Sequence, residues 1–275
     1  MLKPRLIPVL LLKDGALVRS RTFSFHQYTG DPQGQVERFT DWRADELIYL
    51  DINREGTNDY RETMHVIGST SSRKDLPATM MNNFIDIIRS VSEKCMIPLT
   101  VGGKVRTLED IRVRLANGAD KVSINTQALA DPSFIEQAAH AFGNQCIVVS
   151  VDAKYDPIKN THEVYRHFGK EPTGLTPIEW CKEAEERGAG EILLQSVDRD
   201  GTGKGYDLEL IRSVADNVSI PVIALGGVGT FAHFVEGLQQ GHASAVAAAN
   251  IFHFSEQSVI NAKKFMKNAG IDVRL

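Results

Sequence analysis

Cysteine is scarce in this chain, and the three present, Cys95, Cys146 and Cys181, stand far apart with no CxxC spacing and no Cys/His cluster. That excludes a disulfide framework and gives no basis for a zinc site, so neither a metal nor another cofactor is expected. An excess of basic residues is missing as well: 31 Lys and Arg face 35 Asp and Glu, a formal net charge of -4. Bulk electrostatics therefore draw the chain neither to nucleic acid nor to an anionic membrane. Long apolar runs are also absent. The most apolar early stretch, Leu6–Leu12, contains Pro8 and falls far short of the ~20 residues that span a bilayer. Lys13-Asp14-Gly15 follows where a signal peptide would carry a small-residue cleavage site. These absences lead to the expectation of a cytoplasmic protein that acts on a small molecule.

What is present is a regular alternation. With 275 residues, 42% hydrophobic and 24% charged, the chain has room for one large β/α barrel or two small domains. Eight short apolar runs, Leu6–Leu12, Leu47–Ile52, Pro98–Val101, Val122–Ile124, Ile147–Val151, Ile192–Leu194, Val222–Leu225 and Ala245–Ile251, are spaced along it. Helix-period segments separate several of them: Phe84, Ile87, Ile88 and Val91 share a face, as do Leu108, Ile111 and Leu115, and Phe231, Phe234, Val235 and Leu238. Near-continuous apolar strands between amphipathic helices mean a parallel sheet covered on both sides. Eight units in this length predict a single (β/α)8 barrel over residues 1–275.

An internal echo refines that expectation. Ile97-Pro98-Leu99-Thr100-Val101-Gly102-Gly103, followed by Gly118-Ala119-Asp120 and Val122–Asn125, is answered by Ile220–Gly227, Gly241-His242 and Ala245–Asn250. Two similar half-barrels account for it economically. Two segments stand outside the repeat. Arg54–Thr79 is polar and long for a βα connection, and reads as a long loop inserted after strand 2, either a lid or a surface excursion, with the lid favoured. Tyr155–Thr173 reads as a small hairpin after strand 5.

The chemistry centres on Glu191–Asp207, where Ile192-Leu193-Leu194 breaks into Asp198-Arg199-Asp200-Gly201-Thr202-Gly203 before a helical pattern resumes. Glycines at 201, 203 and 205 allow positive φ and close approach of a ligand, and the N–H groups of such a loop can cradle an anion, with phosphate expected. On residue type alone, an ordinary glycine-rich turn is an equal reading.

The motifs Asp152–Lys154 (DAK), Gly118–Thr126 (GADKVSINT), Arg187–Leu194 (RGAGEILL), Asp198–Thr202 (DRDGT) and Phe252–Phe254 (FHF) together resemble the cyclase subunit of imidazole glycerol phosphate synthase, the HisF family. The resemblance covers nearly the whole chain. It implies that a glutaminase partner releases ammonia, which crosses the barrel and attacks a bisphosphorylated substrate at the C-terminal face. It also implies that Asp152 is one of two catalytic aspartates; that Asp200, Gly201, Thr202, Gly226, Gly227 and Asn250 hold one phosphate; and that Gly103, with Lys104 beside it, Asn125 and Thr126 hold the other. Arg5, Glu46, Lys121 and Glu191 match the charged ring that gates ammonia at the opposite end, and Asp120 matches a residue facing the glutaminase. On residue type alone, Asn125 is equally a turn residue, Asp152 a strand-end cap, Asp120 a solvated loop carboxylate, and the ring a set of structural salt bridges.

The chain departs from that family at the substrate end. Leu11 stands where the second aspartate is found, so the two-carboxylate arrangement is broken. Lys104 replaces a glycine, Gln195 a small hydroxyl residue, Leu225 a serine and Arg19 a lysine. An intact ammonia end with a rebuilt substrate end is expected of a diverged paralogue. HisF-like proteins of that kind accompany a glutaminase and a separate amidotransferase in bacterial surface-polysaccharide pathways, converting an N-acetyl group on a phosphorylated or nucleotide-linked sugar into an acetamidino group. The orthodox cyclase of histidine biosynthesis, a lyase, is the alternative, and a non-catalytic ammonia-conducting scaffold is a further one.

Overall fold

Each apolar run identified above is too short and too uniformly apolar to be half-solvated, and each becomes a strand buried on both faces. The computed structural model describes residues 3–21, 25–53, 83–253 and 258–275. In chain order it begins with β1 (Arg5–Lys13), a hairpin of β2 (Ala16–Arg21) and β3 (Phe25–Gly30), α1 (Pro32–Asp41) and β4 (Leu47–Asp51). Then come α2 (Phe84–Ser92), β5 (Leu99–Gly102), α3 (Leu108–Ala116), β6 (Lys121–Ile124), α4 (Thr126–Ala130), α5 (Ser133–Phe142) and β7 (Ile147–Asp156). A second hairpin adds β8 (Thr161–Arg166) and β9 (Glu171–Pro172), followed by α6 (Pro177–Glu186), β10 (Glu191–Ser196) and α7 (Leu208–Ala215). The chain closes with β11 (Val222–Leu225), α8 (Phe231–Gln239), β12 (Ala245–Ala248) and α9 (Val259–Asn268). Strands β1, β4, β5, β6, β7, β10, β11 and β12 pair in parallel in that order, and β12 pairs with β1, so the sheet closes into a (β/α)8 barrel. No helix among the described residues is long and apolar enough to cross a membrane.

Strand alternation splits the core in two. One set, including Leu6, Leu47, Tyr49, Val101, Val149 and Leu194, packs outward against α2, α6 and the other helices. The other, Ile7, Val9, Ile48, Val148, Leu193, Ile223, Leu225, Ala245 and Ala247, fills the barrel interior. Because the period is 2, Arg5 falls on the interior register of β1, Lys121 on that of β6 and Glu191 on that of β10.

The half-barrel echo is visible in the hydrogen bonds. The Asp120 N–H donates to Leu99 O at 2.8 Å, and the Ser244 N–H donates to Val222 O at 2.9 Å, at matching places in the two halves. A Cβ on Gly103 would collide with the Asp51 carbonyl, and one on Gly226 would lie 2.7 Å from the Ser196 carbonyl, again matching ends of the preceding strands. In this register Gly103 answers Gly226, Lys104 answers Gly227, and Thr126 rather than Asn125 answers Asn250. Lys104 accordingly sits at φ 54, the left-handed region that Gly227 occupies at φ 100.

One expectation changes in detail, one hairpin is new, and one expected loop is not described. The last apolar run extends to Ile251 in sequence, but its strand ends at Ala248 and Asn250–His253 turns as a 3-10 helix. The β2–β3 hairpin has no counterpart among the expected strands. The long loop expected over Arg54–Thr79 lies outside the described residues.

Candidate active site

The loop from Val197 to Asp207 is clasped from two sides. From one side, Ser20 on β2 donates its hydroxyl to Asp200 Oδ2 at 3.1 Å, and Asn250 donates Nδ2 to the Ser20 carbonyl at 2.7 Å. From the other, the Tyr155 N–H donates to Asp198 Oδ2 at 2.9 Å, and His162 Nε2 lies 3.0 Å from Asp207 Oδ2. Asp207 also caps α7 by accepting from the Leu210 N–H. The two hairpins and the glycine loop thus form one rim at the C-terminal ends of the strands, where a β/α barrel carries its reactive groups.

Two cavities open in this rim. The first, about 360 Å³, is lined by Arg19, Ser20 and Arg21 from β2 and by Gly201, Thr202 and Asn250, with Gly203, Val228, Gly229 and Ile251 completing it. It gathers Gly201, Thr202 and Asn250 of the first expected phosphate set and adds two arginines from the unforeseen hairpin. Gly201 needs its φ of 66, since a Cβ there would lie 2.5 Å from the Ser20 carbonyl. Gly226 and Gly227, both left-handed, turn behind this loop, and the Gly205 N–H donates to Gly227 O at 2.8 Å. Asn250 Oδ1 is buried without a partner, a polar atom that a bound hydroxyl or protonated phosphate oxygen could satisfy.

The second cavity, about 430 Å³, contains the catalytic candidate and all of the second phosphate set: Gly103, Lys104, Asn125, Thr126 and Asp152, together with Asp51, Gln195 and the tip of the second hairpin. Asp152 is buried and accepts a 3.0 Å hydrogen bond from Asn125 Nδ2. Burial pushes its carboxyl up to about 7; the Asn125 bond and the Lys154 charge oppose this, and the charge of Asp200 adds to it. A carboxyl held there is populated in both protonation states near neutrality. Asn125 Oδ1 is itself buried without a partner, as Asn250 Oδ1 is in the other cavity. Asp51 is pushed up by burial as well, offset by bonds from Asn53 and by Lys104, whose Nζ lies 3.5 Å from its Oδ2. Leu11 packs beside Leu50 and Ala249 at the edge of the interior apolar cluster. It offers no proton donor or acceptor there.

At the opposite end of the barrel the four ring residues do meet. Arg5 Nη1 lies 2.6 Å from Glu46 Oε1 and 2.8 Å from Glu191 Oε1, and Lys121 Nζ lies 3.1 Å from Glu46 Oε2 and 3.0 Å from Glu191 Oε1. Each cation bridges both carboxylates. Burial alone would depress the Arg5 guanidinium, but the two carboxylates outweigh it and hold it above its ordinary value. Asp120 is exposed on this face and accepts the Leu99 N–H at 2.8 Å. Sequence reasoning missed a neighbouring fastener: fully buried Lys263 of α9 donates to Asp45 Oδ1 at 2.8 Å, while Asp45 Oδ2 accepts the Leu6 N–H. A lone lysine in a helix carries no signal of such a partner.

Between ring and cavity the interior has two kinds of wall. On β10, β11, β12, β1 and β4 it is apolar; on β5, β6 and β7 buried Thr100, Ser123 and Ser150 face inward, with apolar Val148 of β7 among them. Ser123 and Ser150 reach the cavity that holds Asp152. Buried hydroxyls on three neighbouring strands therefore lie between the level of Lys121, which pairs with Thr100, and the cavity of the catalytic candidate.

The barrel, its rim cavities and its buried strand-end carboxylate agree with what the sequence matches. Residues 73–258, more than half of the chain, match the family model described as "Histidine biosynthesis protein", and the chain belongs to that family of HisA/HisF-type barrel enzymes.

Proposed function

We propose that this chain is the synthase subunit of a glutamine amidotransferase pair: ammonia from a HisH-like glutaminase enters at the Arg5, Glu46, Lys121 and Glu191 ring, crosses the barrel and is used at Asp152. The observation that carries this reading is the set of buried inward hydroxyls, Thr100, Ser123 and Ser150, between the ring and the Asp152 cavity. Neutral ammonia can pass such a wall by exchanging hydrogen bonds, whereas ammonium would carry a heavy desolvation cost. Asp152, with its carboxyl near 7, takes the proton that the attacking ammonia must shed and returns it to the departing oxygen. The substrate is a phosphorylated or nucleotide-linked sugar, and the product an acetamidino group on a surface-polysaccharide precursor, with a separate amidotransferase taking part.

The family match supports a second reading, the orthodox cyclase of histidine biosynthesis. The two differ at Leu11. With leucine in place of a carboxylate at position 11, the histidine-pathway substrate and ammonium salt should give a turnover well below the usual enzyme range of ~1–10³ per second, since each acid/base group contributes about 10²–10⁴-fold. A steady-state assay decides it: turnover in that range identifies the cyclase. Leu11→Asp should raise residual activity unless Lys104 and Gln195 already keep the substrate out. No turnover of any substrate, in a complex that still hydrolyses glutamine, would leave the barrel a conducting scaffold.

The smaller cavity should bind an anion without substrate. Crystals grown in phosphate or sulfate should show tetrahedral density against Gly201-Thr202 and Asn250, with Arg19 and Arg21 beside it. Repeated empty density under those conditions would mean that the Ser20 latch on Asp200 and Asn250 has closed the site.

A further inference from the structure

We propose that Gln195 is a specificity-determining residue of the larger cavity, whose side-chain amide recognises a carboxamide on the substrate, the acetamido group of an N-acetylated sugar. This rests on the reading that the Asp152 cavity takes a phosphorylated or nucleotide-linked sugar, and it assigns the group by which that sugar is chosen. Gln195 stands near the C-terminal end of β10 and lines the cavity with Asp152. Its register is inward, since Leu193, two residues earlier, belongs to the barrel interior.

The protein gives this side chain no partner of its own. Gln195 is 9% exposed, yet its amide makes no hydrogen bond among the described residues. A primary amide carries two donors and an acceptor oxygen, and leaving such a group buried and unpaired costs about 1–3 kcal/mol. Other polar side chains at the same end of the barrel are tied down: Asn53 donates to Asp51, Asn125 to Asp152 and Ser20 to Asp200. An amide left unpaired in a cavity wall is one whose partner arrives with the ligand.

Strand register narrows what that partner is. In the parallel ladder between β7 and β10, Gln195 stands opposite Asp152, so amide and carboxyl enter the cavity from adjacent strands, about 5 Å apart at the backbone. A substrate carbonyl that accepts from Gln195 Nε2 is thereby held beside the group assigned to move protons. The same hydrogen bond draws electron density from the carbonyl carbon, the atom that ammonia must reach. On its other side Gln195 stands opposite Leu225. Leu225 shares the interior apolar cluster with Leu11 and with Leu50, which itself lines the cavity. One donor for an oxygen beside an apolar wall for a methyl is the complement of an acetamido group. A bare hydroxyl in that place satisfies the donor and leaves the wall uncovered.

The test uses the full chain and two probes that differ only in that group, N-acetylglucosamine 1-phosphate and glucose 1-phosphate, with affinities measured by titration calorimetry. Wild type should bind the acetamido probe about tenfold more tightly, the order expected of one hydrogen bond and a covered methyl. Gln195→Leu, close to glutamine in volume, should erase that preference while the affinity for glucose 1-phosphate stays within about twofold. Its melting temperature should hold or rise, because an unpaired buried amide has been removed. A glutamine that only fills space would leave the preference in place. Equal affinity for the two probes in wild type, or a preference that survives Gln195→Leu, overturns the role of Gln195 and leaves the phosphorylated-sugar reading intact. Failure of both probes to bind overturns the two together.

Discussion

Replacing Asp152 by Asn should lower the ammonia-dependent turnover by about 10²–10⁴-fold and at the same time make the protein more stable at pH 8. The two effects have one cause. The carboxyl titrates at its ordinary 3.8 in the unfolded chain and at about 7 in the buried site. Between those values the folded protein binds a proton that the unfolded chain has released, so wild-type stability rises as the pH falls through about 7 and the gain is complete near 4. Above 7 the folded protein carries a buried negative charge, and the displacement corresponds to roughly 4 kcal/mol as an upper figure. The asparagine is neutral throughout and its Oδ1 can still accept from Asn125 Nδ2. The variant should therefore melt above wild type at pH 8, and the two should converge near pH 4. Melting curves across that range, with turnover measured on the wild-type substrate and ammonium salt, check both halves. A variant with unaltered turnover, or no stability difference at pH 8, would remove Asp152 from the chemistry assigned to it.

Lys121→Ala should uncouple glutamine hydrolysis from product formation. Its ammonium holds Glu46 and Glu191 together at 3.1 and 3.0 Å. Without it, Arg5 alone faces two carboxylates, and Glu191 Oε2 already lacks a partner. Side-chain exposures of 8–19% in the ring temper the structural loss, which should be about 1–3 kcal/mol rather than the larger cost of a fully buried pair. If the ring gates ammonia, product per glutamine consumed should fall several-fold in the variant complex, while added ammonium salt entering from solvent restores the yield. Equal ratios in a folded variant would make the ring a structural clamp and nothing more.

Much of this was legible in the residues. Strands buried on both faces must be apolar and helices packed on them must be amphipathic, so all eight barrel strands stood out, as did the hairpin at Tyr155–Thr173. Gly103 and Gly226 announced their turns because no other residue fits against a neighbouring carbonyl. The β2–β3 hairpin escaped notice because Ala16–Arg21 and Phe25–Gly30 mix polar and apolar residues without clean alternation. Their partners, Asp200 and Asn250, lie 180 and 230 residues away from Ser20. With that hairpin went Arg21 as a wall of the smaller cavity, whereas the family resemblance already places Arg19 at the substrate end.

By itself the sequence determined the barrel, its two-fold echo and the HisA/HisF-type family, because each rests on residue type and local period. Only the tertiary structure decided that four charges from four strands close into one ring, that hydroxyls on β5, β6 and β7 share one interior wall, and that burial drives Asp152 up to about 7. Those properties depend on distances between residues remote in the chain and on the exclusion of water around them, which strand closure sets and no local pattern records.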